Sequence, residues 1–105
     1  MSYSLCVTDI AEEDISASVT YIADALKNPI AANNLLDEIE RYEKILGETP
    51  NIYPLVRDES LAGKGLRYAI IKNYLLFYVV DEDDKTVTVI RFLHGRRNWK
   101  SILTM

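Results

Sequence analysis

The chain has 105 residues and a formal net charge of −4, with 49% hydrophobic and 27% charged residues, the balance of a folded domain rather than a disordered segment. A single cysteine, Cys6, excludes an internal disulfide and a thiolate metal cluster, and neither a metal nor a cofactor is expected. The longest apolar run, Tyr74–Val80, is far too short to cross a membrane, and the N-terminus lacks a basic region and long apolar core. One soluble, cytoplasmic domain over residues 1–105, without membrane contact, is expected.

Residues Ser2–Val7 read as a first strand. Thr8 or Asp9 then opens a helix, with Asp9 and Glu12 at capping-box spacing. Ile15, Val19, Ile22 and Leu26 recur at helical spacing and form one apolar stripe. Asn28-Pro29 marks a stop and restart, because asparagine suits an N-cap and proline the first helical position. The second helix is predicted over Pro29–Leu46, with Ala32, Leu35, Ile39, Tyr42 and Leu46 on one side and Gly47 ending it. The two helices should form an antiparallel hairpin.

Glu48–Lys64 carries Pro50, Pro54 and Gly63 and reads as an irregular crossing. Leu66–Ile71 and Tyr74–Asp81 flank Lys72-Asn73, a tight turn in which Asn73 can take a left-handed conformation. Asp81–Lys85 is a charged turn, and Thr86–His94 completes a meander. The order β-α-α-β-β-β predicts an α+β fold, an antiparallel sheet with a helical hairpin on one face. A short tail helix is expected near Asn98.

Two-residue and four-residue turns pair 69 with 76, 78 with 89 and 76 with 91. One face then carries Arg67, Ala69, Ile71, Tyr74, Leu76, Tyr78, Val87, Val89, Arg91 and Leu93. The opposite face carries Leu66, Tyr68, Ile70, Leu75, Phe77, Val79, Thr88, Ile90, Phe92 and His94. Both are largely apolar, and one helical hairpin can cover only one. Either a partner covers the second face, or the crossing and the tail do.

Charge is unevenly distributed. Residues 1–84 hold all 16 acids against seven Lys and Arg, a local charge of −9, whereas residues 85–105 hold five cations and no acid. Such a basic segment either recruits an anionic partner or lies against the protein's own acidic helices.

The element order, Gly65-Leu66-Arg67 opening the meander, Asn73-Tyr74-Leu75-Leu76-Phe77-Tyr78 at its centre and Leu93-His94-Gly95-Arg96-Arg97-Asn98-Trp99 closing it resemble the RelE/ParE superfamily of toxins from bacterial type II toxin–antitoxin modules. The resemblance implies a small toxin, of the kind that stabilises plasmids, wrapped by the extended or helical C-terminal segment of a cognate antitoxin. Such a segment would bind the second face through Leu66, Tyr68, Leu75, Phe77, Ile90 and Phe92. RelE-like members cut messenger RNA on the ribosome with basic residues and a proton-transfer group; ParE-like members act on DNA gyrase. The basic positions of the RelE pattern fall on Leu66, Tyr68 and Leu75, and the proton-transfer position near Leu103, none of which can serve that chemistry. Only Arg97 matches. The resemblance therefore favours the ParE-like branch, with Arg96, Arg97, Trp99 and Lys100 contacting the target. In the ribonuclease alternative Arg97, His94 and Arg91 are the catalytic candidates, and a third alternative is an inactive member that only binds antitoxin.

Individual residues have structural readings beside these. Arg67 and Arg91 either face the target or pair with a helix acid. Trp99 either anchors the tail or stacks on a base. Tyr68, Tyr74 and Tyr78 suit stacking, core or interface. Cys6 is expected to be a small buried hydrophobe.

Overall fold

The computed structural model describes residues 2–104. Strand β1 (Ser4–Val7) passes into helix α1 (Asp9–Thr20) through Thr8, whose Oγ1 accepts the Ala11 N–H at 3.1 Å. Thr8 is thus the N-cap. Asp9 and Glu12 lie in the first turn, favourably placed beside its free N–H groups, instead of forming the expected capping box.

Beyond Thr20 the backbone widens into a π-helical turn, Tyr21–Ala25. The wider turn interrupts the apolar stripe. Ile15 is buried and Val19 and Ile22 pack on the core, but Leu26 is 56% exposed. Asn28 Oδ1 accepts the Ala31 N–H at 3.1 Å and Pro29 occupies the first turn of helix α2 (Pro29–Glu48), as the sequence indicates. Ala32, Leu35, Ile39 and Leu46 are buried along it. Gly47 does not end this helix. Its carbonyl, near the C-terminus where intrahelical donors run out, accepts the Tyr3 N–H at 2.7 Å and ties β1 to α2.

The crossing contains a short helix, α3 (Glu59–Gly63), capped by Asp58 Oδ1 accepting the Leu61 N–H at 3.0 Å. Strands β2 (Arg67–Ile71), β3 (Tyr74–Asp81) and β4 (Thr86–His94) form the meander, and helix α4 (Trp99–Thr104) follows. The sheet order is β1-β4-β3-β2, with β1 parallel to β4 and the other pairings antiparallel. In the β2–β3 turn Lys72, not Asn73, takes the left-handed conformation, at φ 55°.

Between β2 and β3 the register matches the expectation: Ala69 pairs with Leu76 and Ile71 with Tyr74. Between β3 and β4 it matches as far as Tyr78–Val89, then shifts, so that Phe77 pairs with Arg91 and Ile90 is the extra residue of a β-bulge. The slip exchanges the faces of the residues beyond it. Phe92 pairs with Leu76 and is buried under the helices, while Leu93 packs with Phe77 on the other side. The expected placement of Phe92 and Leu93 is therefore reversed.

Asp14 on α1 explains the bulge. Its carboxylate accepts the Arg91 Nε–H at 2.7 Å, the Arg91 Nη2–H at 3.0 Å and the Phe92 N–H at 3.1 Å. A bulge aims side chain and amide at the same acceptor, which an uninterrupted ladder would not do. Thr8 Oγ1 adds a donor to the Ile90 carbonyl at 3.1 Å.

Both faces of the sheet carry a packed layer. The helical hairpin covers Ile71, Leu76, Tyr78, Val87, Val89 and Phe92. On the other side Val56 and Leu61 from the crossing, together with Trp99, Ile102 and Leu103 from the tail, pack around Leu66, Phe77 and Leu93. The expectation of a second face left bare is thus corrected. Burying each large side chain contributes about 1.5–3 kcal/mol, enough to hold this short tail against the sheet. Coverage is partial, however: Ile70 is 59% exposed, and Tyr68, Leu75, Val79 and Ile90 are half-buried.

Candidate functional site

Strand β4 delivers the basic segment. At its end the Gly95 N–H donates to the Asn73 carbonyl at 2.8 Å, fixing the exit against the β2–β3 turn. A Cβ on Gly95 would lie 3.3 Å from that carbonyl oxygen, so the close approach suits glycine. The Arg96 N–H donates to His94 Nδ1 at 3.1 Å, and the Arg97 N–H to the His94 carbonyl at 2.9 Å. The chain is turned tightly here, leaving Arg96 and Arg97 exposed side by side.

Among the described residues neither Arg96 nor Arg97 forms an ion pair. The other cations of the segment differ. Arg91 is committed to Asp14, and that hydrogen bond with the carboxylate holds its guanidinium above the usual arginine range. Lys100 Nζ lies 3.6 Å from Asp58 Oδ2, an exposed contact. Lys85 lies 4.0 Å from Glu82 and over the Tyr3 ring. At this end of the sheet, among the described residues, the two adjacent arginines and Lys72 of the β2–β3 turn are thus cations without an ion pair.

Trp99 anchors the tail: its ring sits 5.4 Å from that of Phe77, tilted by 39°. Clefts of 200 and 170 Å³ flank α4, the first between Trp99 and Tyr68, Leu75 and Arg57, the second between Leu103 and Val79, Ile90 and Lys64. Of the six residues expected to meet an antitoxin, Tyr68, Leu75 and Ile90 are accessible; Leu66, Phe77 and Phe92 are buried within the chain itself. Cys6, expected inside, is exposed on edge strand β1.

Two of the three catalytic candidates come together. Arg97 and His94 share a cleft, but Arg91 is held by Asp14. His94 uses Nδ1 to accept the Arg96 amide and presents its ring edge-on to Tyr74, 5.3 Å between centroids. Arg67 donates to the Tyr53 carbonyl at 2.6 Å, and the Tyr78 hydroxyl to the Pro50 carbonyl at 2.7 Å. These two bonds pin the crossing to the sheet. Burial pushes the Tyr78 phenol up to about 12, so it is a fixed donor rather than a proton shuttle.

Reading the sequence by motif missed Tyr21 and Lys72, which line the cleft beside His94. A signal for Lys72 existed in its place beside Asn73, in a two-residue turn facing the basic exit. Tyr21 had none, because an apolar stripe does not reveal a π turn.

Sheet, helical hairpin and cationic exit together define a small α+β domain with a basic end. Sixteen solved chains match this fold, three of which illustrate the likeness. A RelBE2 toxin–antitoxin complex from Mycobacterium tuberculosis aligns with TM-score 0.64 and 22% identity, over 90% of this chain and 99% of that chain. A chromosomal ParDE system from P. aeruginosa aligns with TM-score 0.70 and 20% identity, over 89% and 96%. A mutant of the E. coli toxin RelE in the free state gives 0.67 and 14%, over 97% and 93%. No curated protein sequence matches this chain. The family model for the ParE toxin of the type II toxin–antitoxin system parDE matches residues 6–99. The chain belongs to that family.

Proposed function

We propose that this toxin acts in the cytoplasm by inhibiting DNA gyrase, contacting it through Arg96 and Arg97 with Trp99 and Lys100 beside them, and that a cognate antitoxin holds it inactive. The observation that carries this reading is the pair of exposed arginines without a carboxylate partner among the described residues, on a chain whose residues 1–84 hold all 16 acids against seven Lys and Arg. A desolvated contact with an anionic surface would reward two such charges more than bulk water does. The sheet face that would have to grip a scissile RNA phosphate instead carries Tyr68, Leu75 and Phe77 with the tail helix packed on it, and Arg57 lines the cleft beside Trp99 there.

For the antitoxin, Tyr68, Ile70, Leu75 and Ile90 with the clefts flanking α4 offer an apolar landing surface. The solved complexes named for RelBE2 and ParDE support a protein partner of this kind.

Induced expression of the chain without antitoxin tests the reading. Growth arrest with a DNA-damage response, relieved by Arg96→Ala/Arg97→Ala, is expected. Newly appearing, codon-linked transcript ends would assign it ribonuclease activity instead. Growth with no phenotype from a stably folded chain would make it an inactive, antitoxin-binding member.

A further inference from the structure

Two open clefts, of 340 and 470 Å³, meet where α1 runs out and the β2–β3 turn lies beside the exit of β4. Tyr21, Tyr74 and His94 line both of them. Tyr74 is rigidly backed, stacked on Phe92 with centroids 4.8 Å apart and planes 12° from parallel. Tyr21 lines the same clefts and is 57% exposed.

Local conformation here is costly in two places. Tyr21 opens the π turn, a rare backbone form concentrated at functional positions. Lys72, which lines the first cleft, is held at φ 55° where glycine would be unstrained. The side chains of Tyr21 and Lys72 are themselves exposed, so neither residue is held there by its own burial.

Charge at the clefts is positive. Lys72 lines the first and Arg97 the second, with Arg96 at the adjoining mouth. Among the described residues none of the three forms an ion pair. Nearby carboxylates are occupied: Asp14 by Arg91, and Glu38, which feels the Lys72 charge, by Arg41. His94 Nδ1 accepts the Arg96 N–H, which leaves Nε2 as the ring nitrogen outside that bond.

Aromatic rings and unpaired cations lining the same clefts suit a ligand having a planar ring and an attached anion. We propose that these joined clefts bind a free purine nucleoside phosphate, its base stacked between Tyr21 and Tyr74 and its phosphate held by Arg97 and Lys72. The size of each cleft favours a single nucleotide over a longer strand. The inference does not rest on the gyrase reading, since it concerns binding by the purified chain alone.

Adenosine monophosphate, titrated into the full chain and followed by calorimetry and amide chemical shifts, tests it. Saturable binding that shifts Tyr21, Tyr74, His94 and Arg97 is expected, with adenosine and inorganic phosphate each about tenfold weaker or more. Tyr21→Ser and Arg97→Gln should each weaken binding by about tenfold without unfolding the chain. Lys72→Gly separates binding from folding. It should raise the thermal midpoint by relieving the left-handed lysine, yet lower the affinity. Absence of saturable binding would overturn the proposal. So would phosphate matching the nucleotide, or a single-stranded oligonucleotide binding where the mononucleotide does not.

Discussion

Replacing Asp14 with alanine should loosen the whole basic end of the molecule. Asp14 accepts three hydrogen bonds, two from Arg91 and one from the Phe92 amide, and with Arg91 it is mostly shielded, at 14% and 17% side-chain exposure. Removing one partner of a buried pair costs about 3–5 kcal/mol. Here the pair lies at a cleft where water can reach the stranded guanidinium, so about 2–4 kcal/mol is the reasonable range. Against a total stability of about 5–15 kcal/mol that is a large loss, and it corresponds to a fall of roughly 10–20 °C in Tm. Equilibrium urea unfolding followed by circular dichroism measures it, and hydrogen exchange at Phe92 should accelerate in the same variant. Replacing Arg91 with methionine as well should restore part of the loss, because an apolar side chain leaves no stranded charge. A loss below about 0.5 kcal/mol for Asp14→Ala, with Phe92 exchange unchanged, would refute the assignment of the bulge to this carboxylate.

Three further variants probe the packing that presents the site. Glu43 is half-buried, and burial first, then Glu12 and Glu40, raise its carboxyl above the ordinary glutamate range. A raised pKa means the folded state holds the proton more tightly, so stability falls as pH rises from the ordinary glutamate value through the folded one. Glu43→Gln should therefore stabilise at neutral pH and lose that advantage in acid; equal gains at both pH values would count against it. Trp99→Ala should free α4, expose Phe77 and raise the fluorescence of a hydrophobic dye, at a cost of about 1.5–3 kcal/mol. An unchanged dye signal would mean the tail is held by something else. Tyr78→Phe strands the Pro50 carbonyl and should cost about 1–2 kcal/mol. Ultraviolet titration should lose its most alkaline tyrosine, near 12, in this variant, and persistence of that step would reassign it.

The order of elements was legible because turn chemistry and periodicity agreed. Asn28-Pro29, the bounds of β3 and β4, and the pairing of Ile71 with Tyr74 follow from local residues alone. The bulge at Ile90 was not legible. With both faces apolar, alternation cannot register a one-residue slip, and its cause, Asp14, lies 77 residues away from Arg91. The π turn was hidden for a related reason: Tyr21 and Ile22 are both plausible core residues until the backbone chooses between them. Coverage of the second face was undervalued because a six-residue helix and a proline-bearing crossing look too slight to bury Phe77. At the candidate site, the exposure of Arg96 and Arg97 after a glycine could be anticipated. The capture of Arg91 by a helix acid was one of two readings, and the pairing with Asp14 decides it.

Supercoiling of relaxed plasmid by purified DNA gyrase, in the presence of the purified chain, measures the central claim directly. We expect inhibition that grows with toxin concentration, is lost in the Arg96→Ala/Arg97→Ala variant and is abolished by an antitoxin that binds the chain. Full supercoiling activity at saturating, folded toxin, or equal inhibition by the double variant, would contradict it.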